Sequence, residues 1–235
     1  MSNVKLKHSS GNGTKLHAPA ANPSADITLK VPSTTGSAGQ VLSVASANHS
    51  STNAELEWVA NSAGTGRKIL EQFFCPCDGS VIATANGNIT ITDQDAIQSL
   101  TTSYADVVGS SIAYTPPTGT TQVIYEYQFA HGRVDDTPTA HIKLFIDSDE
   151  VTDARTTYSL HYGNGVFCMK WAINIGGSAV TATGRQASWG SAKTIKLQAR
   201  EYSSGSEAAL NKSFVWDGAA SDTFHRPSLG ITAIG

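Results

Sequence analysis

The sequence predicts an all-β chain in two parts, a short β-shaft followed by an antiparallel β-sandwich head, and three observations lead there. Apolar residues alternate with polar ones over several segments beyond residue 68, the spacing of a strand with one buried face. Helical periodicity is weak throughout, and turn signals such as TPPTG, GNG and IGG fall between the alternating segments. Charged residues make up only 15% of the 235-residue chain, below the roughly 25% of an average soluble domain, with Ser, Thr, Ala and Asn in their place.

The chain changes character near residue 60. Before it, short apolar patches are separated by Gly, Ser, Pro and Asn, and Leu6, Leu16, Ile27, Leu29, Val31, Val41, Leu42, Leu56 and Trp58 recur along the stretch. Strands this short and this poor in apolar surface do not close a core alone, and three copies wound about a common axis would supply the missing neighbours. The same Ser/Thr/Gly/Asn richness also fits a disordered leader, but the recurrence of the apolar patches favours a trimeric shaft over residues 1–67. Its last residues, NSAGTGR, read as a linker. Fully extended at roughly 3.3 Å per residue, such a shaft would not exceed about 200 Å, so the appendage is short.

Residues 68–235 form the expected head. In TTQVIYEYQFAH, Val123, Tyr125, Tyr127 and Phe129 share one face; in AHIKLFID, Ile142, Leu144 and Ile146 do; in VFCMKWAINI, Phe167, Met169, Trp171, Ile173 and Ile175 do; in TIKLQAREY, Ile195, Leu197 and Ala199 do. Weaker strands are expected at 69–74, 88–92, 104–114, 156–161, 213–216 and 228–234. Roughly eight to ten short strands without strand–helix alternation predict a two-sheet, jelly-roll-like sandwich.

Composition and motifs also bound the chemistry. A formal net charge of −3 without a Lys/Arg cluster excludes nucleic acid as an expected partner. The first thirty residues lack the cationic start and apolar run of a secretory signal, and no apolar stretch of about 18 residues occurs, so membrane insertion is not expected and synthesis in a cytoplasm is. Cys75, Cys77 and Cys168 are an odd number, too few for a closed zinc site, and read as reduced and mostly structural. No complete phosphate-binding loop, nucleophile elbow, zincin helix or dinucleotide fingerprint is present. The chain is therefore expected to be no enzyme and to need no cofactor. The acidic turn at Asp147, Asp149 and Asp153, with Glu150, is a weak calcium candidate, although the glycine of an EF-hand loop is missing and hairpin turns are often acidic.

The runs TSYADVVGSSIAYTPPTGTTQVIYEYQFAH, AHIKLFIDSDEVTDARTTY, MKWAINIGGSAVTATGRQASWGSAKTIKLQAREYSSGSEAAL and SLGITAIG resemble the head domain of fibre and appendage proteins of marine phages, notably cyanophages. ADITLKVPSTTGSAGQVL followed by LEWVA resembles their shaft modules. The resemblance implies a virion protein, assembled as a parallel homotrimer on a phage tail or capsid, whose head has the topology of tumour-necrosis-factor and C1q-like jelly rolls. Its expected partners are its own copies, another virion protein reached through the amino-terminal shaft, and a host cell-surface glycan or protein.

Two surfaces suggest themselves for host contact. His131, Arg133, Asp135 and Asp136 are expected in a loop between two strong strands, where recognition is usually carried, although a plain solvated turn reads the same way. Trp189 could stack on a sugar, whereas Trp171 shares a face with Phe167, Met169 and Ile173 and reads as core. A role without receptor binding, as a capsid or tail decoration, remains the alternative, and a glycan-cleaving role finds no paired carboxylates.

Overall fold

A computed structural model describes residues 3–7, 13–17, 28–50, 53–60, 66–133, 138–159, 163–205, 207–214, 216–218 and 221–235. The chain divides into two compact units, residues 1–66 and 67–235. Both are built from strands, and the described residues contain no α-helix, only two 3-10 turns at Thr181–Thr183 and Trp216–Gly218. No helix among them is long and apolar enough to cross a membrane.

In the amino-terminal unit, β1 (Asn3–Lys7) and β2 (Gly13–His17) form an antiparallel pair, with Leu6 opposite Thr14 and Val4 opposite Leu16. A second sheet has β5 (Asn53–Ala60) at its centre, parallel to β3 (Thr28–Lys30) and antiparallel to β4 (Gln40–His49). The turn before β4 packs on Trp58, whose indole nitrogen donates to the Thr34 carbonyl at 2.8 Å. Gly36 leaves room for that ring, since a Cβ there would sit 2.5 Å from it. Leu56 and Trp58 are half-buried, while Leu29, Val31, Val41, Leu42 and Val44 are 42–72% exposed. Ile27 and the side chains of Leu6 and Leu16 lie outside the described residues.

The head begins with β6 (Ile69–Pro76), the hairpin of β7 (Val81–Thr84) and β8 (Gly87–Thr90), and the short strands β9 (Gln98–Ser99), β10 (Ala105–Asp106) and β11 (Ile112–Tyr114). Long strands follow: β12 (Gln122–Arg133), β13 (Thr139–Ile146), β14 (Asp149–Ser159), β15 (Gly163–Asn174) and β16 (Lys193–Glu201). The short β17 (Ala209–Leu210), β18 (Lys212–Ser213) and β19 (Thr223–Phe224) lead into β20 (Ser228–Ile234).

One sheet has the order β15-β12-β20-β6; the other has β10 and β11 on β16, then β13 and β14. Taking β6, β11, β12, β13, β14, β15, β16 and β20 as eight main strands, the first pairs with the eighth, the second with the seventh, the third with the sixth and the fourth with the fifth. That nesting is an antiparallel ribbon rolled into two sheets, a jelly roll. The roll closes where it starts, because Lys68 and Gly235 exchange two backbone hydrogen bonds of 2.9 Å.

The core lies between the sheets and follows the alternation. Val123, Tyr125, Tyr127 and Phe129 of β12 are fully buried, against Ile142 and Leu144 of β13 and Ile195 and Leu197 of β16. Each such side chain contributes about 1.5–3 kcal/mol through burial. The tyrosines bring hydroxyls inside, which cost stability unless bonded. Tyr125 donates to the Ser110 carbonyl at 2.7 Å, Tyr127 to the Val108 carbonyl at 2.9 Å and Tyr114 to Glu71 at 2.7 Å.

Those bonds explain one departure from the expected strands. The segment 104–114 forms two short strands, because residues 108–111 bulge away from β16 after the Val107 amide donates to the Leu197 carbonyl at 2.9 Å. The Ser110 hydroxyl fills the gap in the ladder, accepting from the Leu197 amide at 3.0 Å and donating to the Val107 carbonyl at 2.7 Å. Gly109, at φ +87°, lets the bulge turn against Cys77.

Candidate functional site

The predicted contact loop is only partly a loop. β12 keeps pairing with β15 as far as Arg133 opposite Gly163, so His131 belongs to a strand and is fully buried. This corrects its reading as a host-contact residue. Its Nδ1–H donates to the Ala209 carbonyl at 2.6 Å, Nε2 lies 3.5 Å from the Pro138 carbonyl, and the ring is 6.1 Å from Phe167. Burial lowers its pKa below the ordinary 6.5 against the opposing pull of those two carbonyls, so the neutral ring acts as a clamp. The signal was present: His131 extends the i+2 series of Tyr125, Tyr127 and Phe129. Asp135, Asp136 and the side chain of Arg133 lie outside the described residues.

Trp189 is also corrected. It is 7% exposed and belongs to the core, and its indole N–H donates to the Tyr114 carbonyl at 3.0 Å, so no ring face is offered to a sugar. Trp171 packs against the core, as its strand face indicates, with its nitrogen bonded to the Thr183 carbonyl at 3.0 Å.

The acidic turn between β13 and β14 is used internally. Asp147, at φ +55°, accepts from the Thr194 amide at 2.8 Å and pairs with Lys193 at 3.2 Å, and Asp149 closes the hairpin opposite Ile146. Among the described residues no three His, Cys, Asp or Glu side chains are grouped to hold a metal ion, Asp153 included. Cys75 and Cys77 are buried free thiols, and burial pushes the Cys77 thiol up to about 12; Cys168 is free and exposed.

The surface with the most concentrated chemistry is the outward face of the five-stranded sheet. The alternation that buries Ile142, Leu144, Leu197 and Ala199 turns His141, Lys143, Gln198 and Arg200 outward, and pairing sets His141 opposite Arg200 and Lys143 opposite Gln198. Tyr104, just before β10, lies on this row: Lys143 Nζ is 4.4 Å from its ring centroid and Arg200 Cζ is 5.5 Å from it. β14 adds Arg155 and Glu150. Glu150 bridges Lys143 at 3.0 Å and Arg155 at 2.5 Å, and its hydrogen bond to Arg155 chiefly holds its carboxyl below the usual range. Arg200 bonds only backbone carbonyls, those of Glu201 at 3.1 Å and Tyr202 at 3.4 Å, and has no carboxylate partner among the described residues. Beside it Tyr202 is 62% exposed, its ring 5.9 Å from His141. Nothing in the sequence joins these residues, which come from four separate segments.

A cleft of about 330 Å³ opens at one end of the sandwich between Leu100, Glu201, Glu207 and Lys212, with Lys212 paired to Asp222 at 2.7 Å. Its charged lining is three carboxylates, Glu201, Glu207 and Asp222, around the one ammonium of Lys212.

Fold and surface together define two units, a strand-built amino-terminal one and a jelly-roll β-sandwich. No family model and no curated protein sequence matches the chain. Two solved structures of infectious bursal disease virus, of the Gx and Gt strains, align over 76% and 66% of this chain at 9% and 11% identity, with TM-scores of 0.33 and 0.22. The chain spans 43% and 47% of the length of those two, and likeness at such scores carries no argument about fold or function.

Proposed function

We propose that this chain is a non-enzymatic structural protein of a bacteriophage virion, a short homotrimeric fibre or appendage whose head contributes to host attachment. The observation that carries the reading is the amino-terminal unit, which leaves Leu29, Val31, Val41, Leu42 and Val44 largely exposed. Five large apolar side chains on about thirty residues are an unfinished core, and identical copies around one axis complete it without any new sequence. The jelly-roll head and the resemblance of both parts to phage shaft and head modules support the virion placement. The shaft would reach another virion protein and present three identical heads, so that weak single contacts add through avidity.

The mass of the full-length chain in solution, by light scattering at micromolar concentration, tests this. Three times 24.6 kDa is expected. A folded species of 24.6 kDa would sink the trimeric fibre and leave a monomeric sandwich. A decoration role without receptor binding predicts the same mass but no adsorption of the purified protein to bacterial cells.

A further inference from the structure

We infer that the outward face of the five-stranded sheet around Tyr104 is a binding site for an acidic saccharide, a polymer of uronate-type sugars. The inference rests on the attachment reading and names the chemistry of the surface that would be recognised. Lys143 and Arg200 stand over the Tyr104 ring, Arg155 joins them through Glu150, and beside them Lys196 pairs with Asp106; among the described residues these four cations face two carboxylates, a local charge of +2 on a chain whose net charge is −3. Arg155 is tied to the same cluster through its ion pair with Glu150 at 2.5 Å. Glu150 already satisfies Lys143 and Arg155, so Arg200, which has no carboxylate partner among the described residues, is the place where an external carboxylate fits.

A guanidinium takes a carboxylate in a two-pronged bond, which a hydroxyl of a neutral sugar cannot replace. Tyr104 is 37% exposed, and with Lys143 and Arg200 over its ring it fixes the two cations side by side at the surface. Tyr202, more exposed, supplies a second ring next to Arg200. The two rings and Arg200 lie on a strand-built surface rather than a deep pocket, which suits a repeating chain more than a single small molecule. Nucleic acid is the less suited polyanion, because the outward row runs from Arg200 through Gln198 to Lys196, whose charge Asp106 already matches.

The test uses the full-length protein with polygalacturonate as probe and dextran as the neutral control, in affinity electrophoresis at low and at physiological salt. Retention by polygalacturonate and not by dextran is expected, weakening as salt rises. Arg200→Gln and Tyr104→Ala should each weaken retention about tenfold, through loss of a charge-assisted bond or of the ring that holds both cations. Lys170→Ala, on the other sheet, should leave it unchanged. Thermal melting checks that each variant is folded, and Arg200→Gln carries the test if Tyr104→Ala is destabilised. The site is overturned if polygalacturonate does not retard the native protein, if Arg200→Gln is retarded as strongly as the native chain, or if single-stranded DNA is held equally well through Arg200. Adsorption to bacterial cells is scored in parallel. Equal adsorption of native and Arg200→Gln protein keeps attachment and sinks this site, whereas Arg200-dependent polygalacturonate binding without cell adsorption supports the site and counts against attachment.

Discussion

The two units use strands to opposite ends. In the head, β12 and β13 alternate so that every second side chain is fully buried between two sheets, and the chain satisfies its own core. In the amino-terminal unit, β4 is an edge strand of a three-stranded sheet, and its Val41, Leu42 and Val44 stay exposed. The difference teaches that strand formation and core formation are separate requirements. Strands need alternation and turns, while a core needs a second layer, and about sixty residues of Ser/Thr/Gly-rich chain cannot provide one.

Truncation at matched positions gives the sharpest contrast. Leu144→Ala, opposite Leu197 in the middle of the sandwich, should cost the head about 2–5 kcal/mol in chemical denaturation. Leu42→Asp should leave the head's unfolding transition in place and reduce the solution mass from three chains to one. An unchanged mass would show that β4 does not complete its core with other copies.

Next in size is the polar lining of the head core. Trp189→Phe keeps an aromatic ring but removes the pyrrole part of the indole with its N–H, which donates to the Tyr114 carbonyl, and a loss of about 1–3 kcal/mol in thermal or chemical unfolding is expected. No loss would mean that the indole is not held inside, returning Trp189 to the surface.

The buried His131 adds a pH dependence confined to the head. Its folded pKa lies below the ordinary 6.5, so the unfolded chain binds more protons as the solution is acidified. The stabilisation is fully present above about pH 6.5 and is lost as pH falls through that value toward the folded one. The head should melt at a lower temperature at pH 5 than at pH 7.5, and His131→Gln should flatten the difference. The groups facing the ring are the Ala209 and Pro138 carbonyls, Phe167 and, at longer range, the Lys212 ammonium, which also disfavours a second positive charge.

The smallest effect should come from the exposed charges of the outward face. Glu150→Gln breaks two surface ion pairs and should change head stability by no more than about 1 kcal/mol. By raising the local positive charge it should also tighten polygalacturonate binding, which a purely structural Glu150 would not do.

Much of the head was legible in the sequence because alternation is a local property. The inward residues of β12, β13, β15 and β16 are those the two-residue period marks, and Trp171 follows its face. The β10–β11 bulge was not legible, since it depends on a serine hydroxyl replacing a ladder bond to Leu197, a partner 87 residues away. Nor was the fate of polar and aromatic residues near strand ends. His131 and Trp189 read as surface groups, and each is inside because the fold brings a backbone carbonyl, of Ala209 or Tyr114, within reach of its N–H.

By itself the sequence determined that this protein is all-β, where its strong strands lie and which of their faces are apolar, because those follow from side-chain order along an extended backbone. Only the tertiary structure decided that the strands nest first with eighth into a jelly roll, and which polar groups are buried as clamps. It also decided which cations gather round Tyr104, because these depend on segments far apart in the chain sharing one sheet.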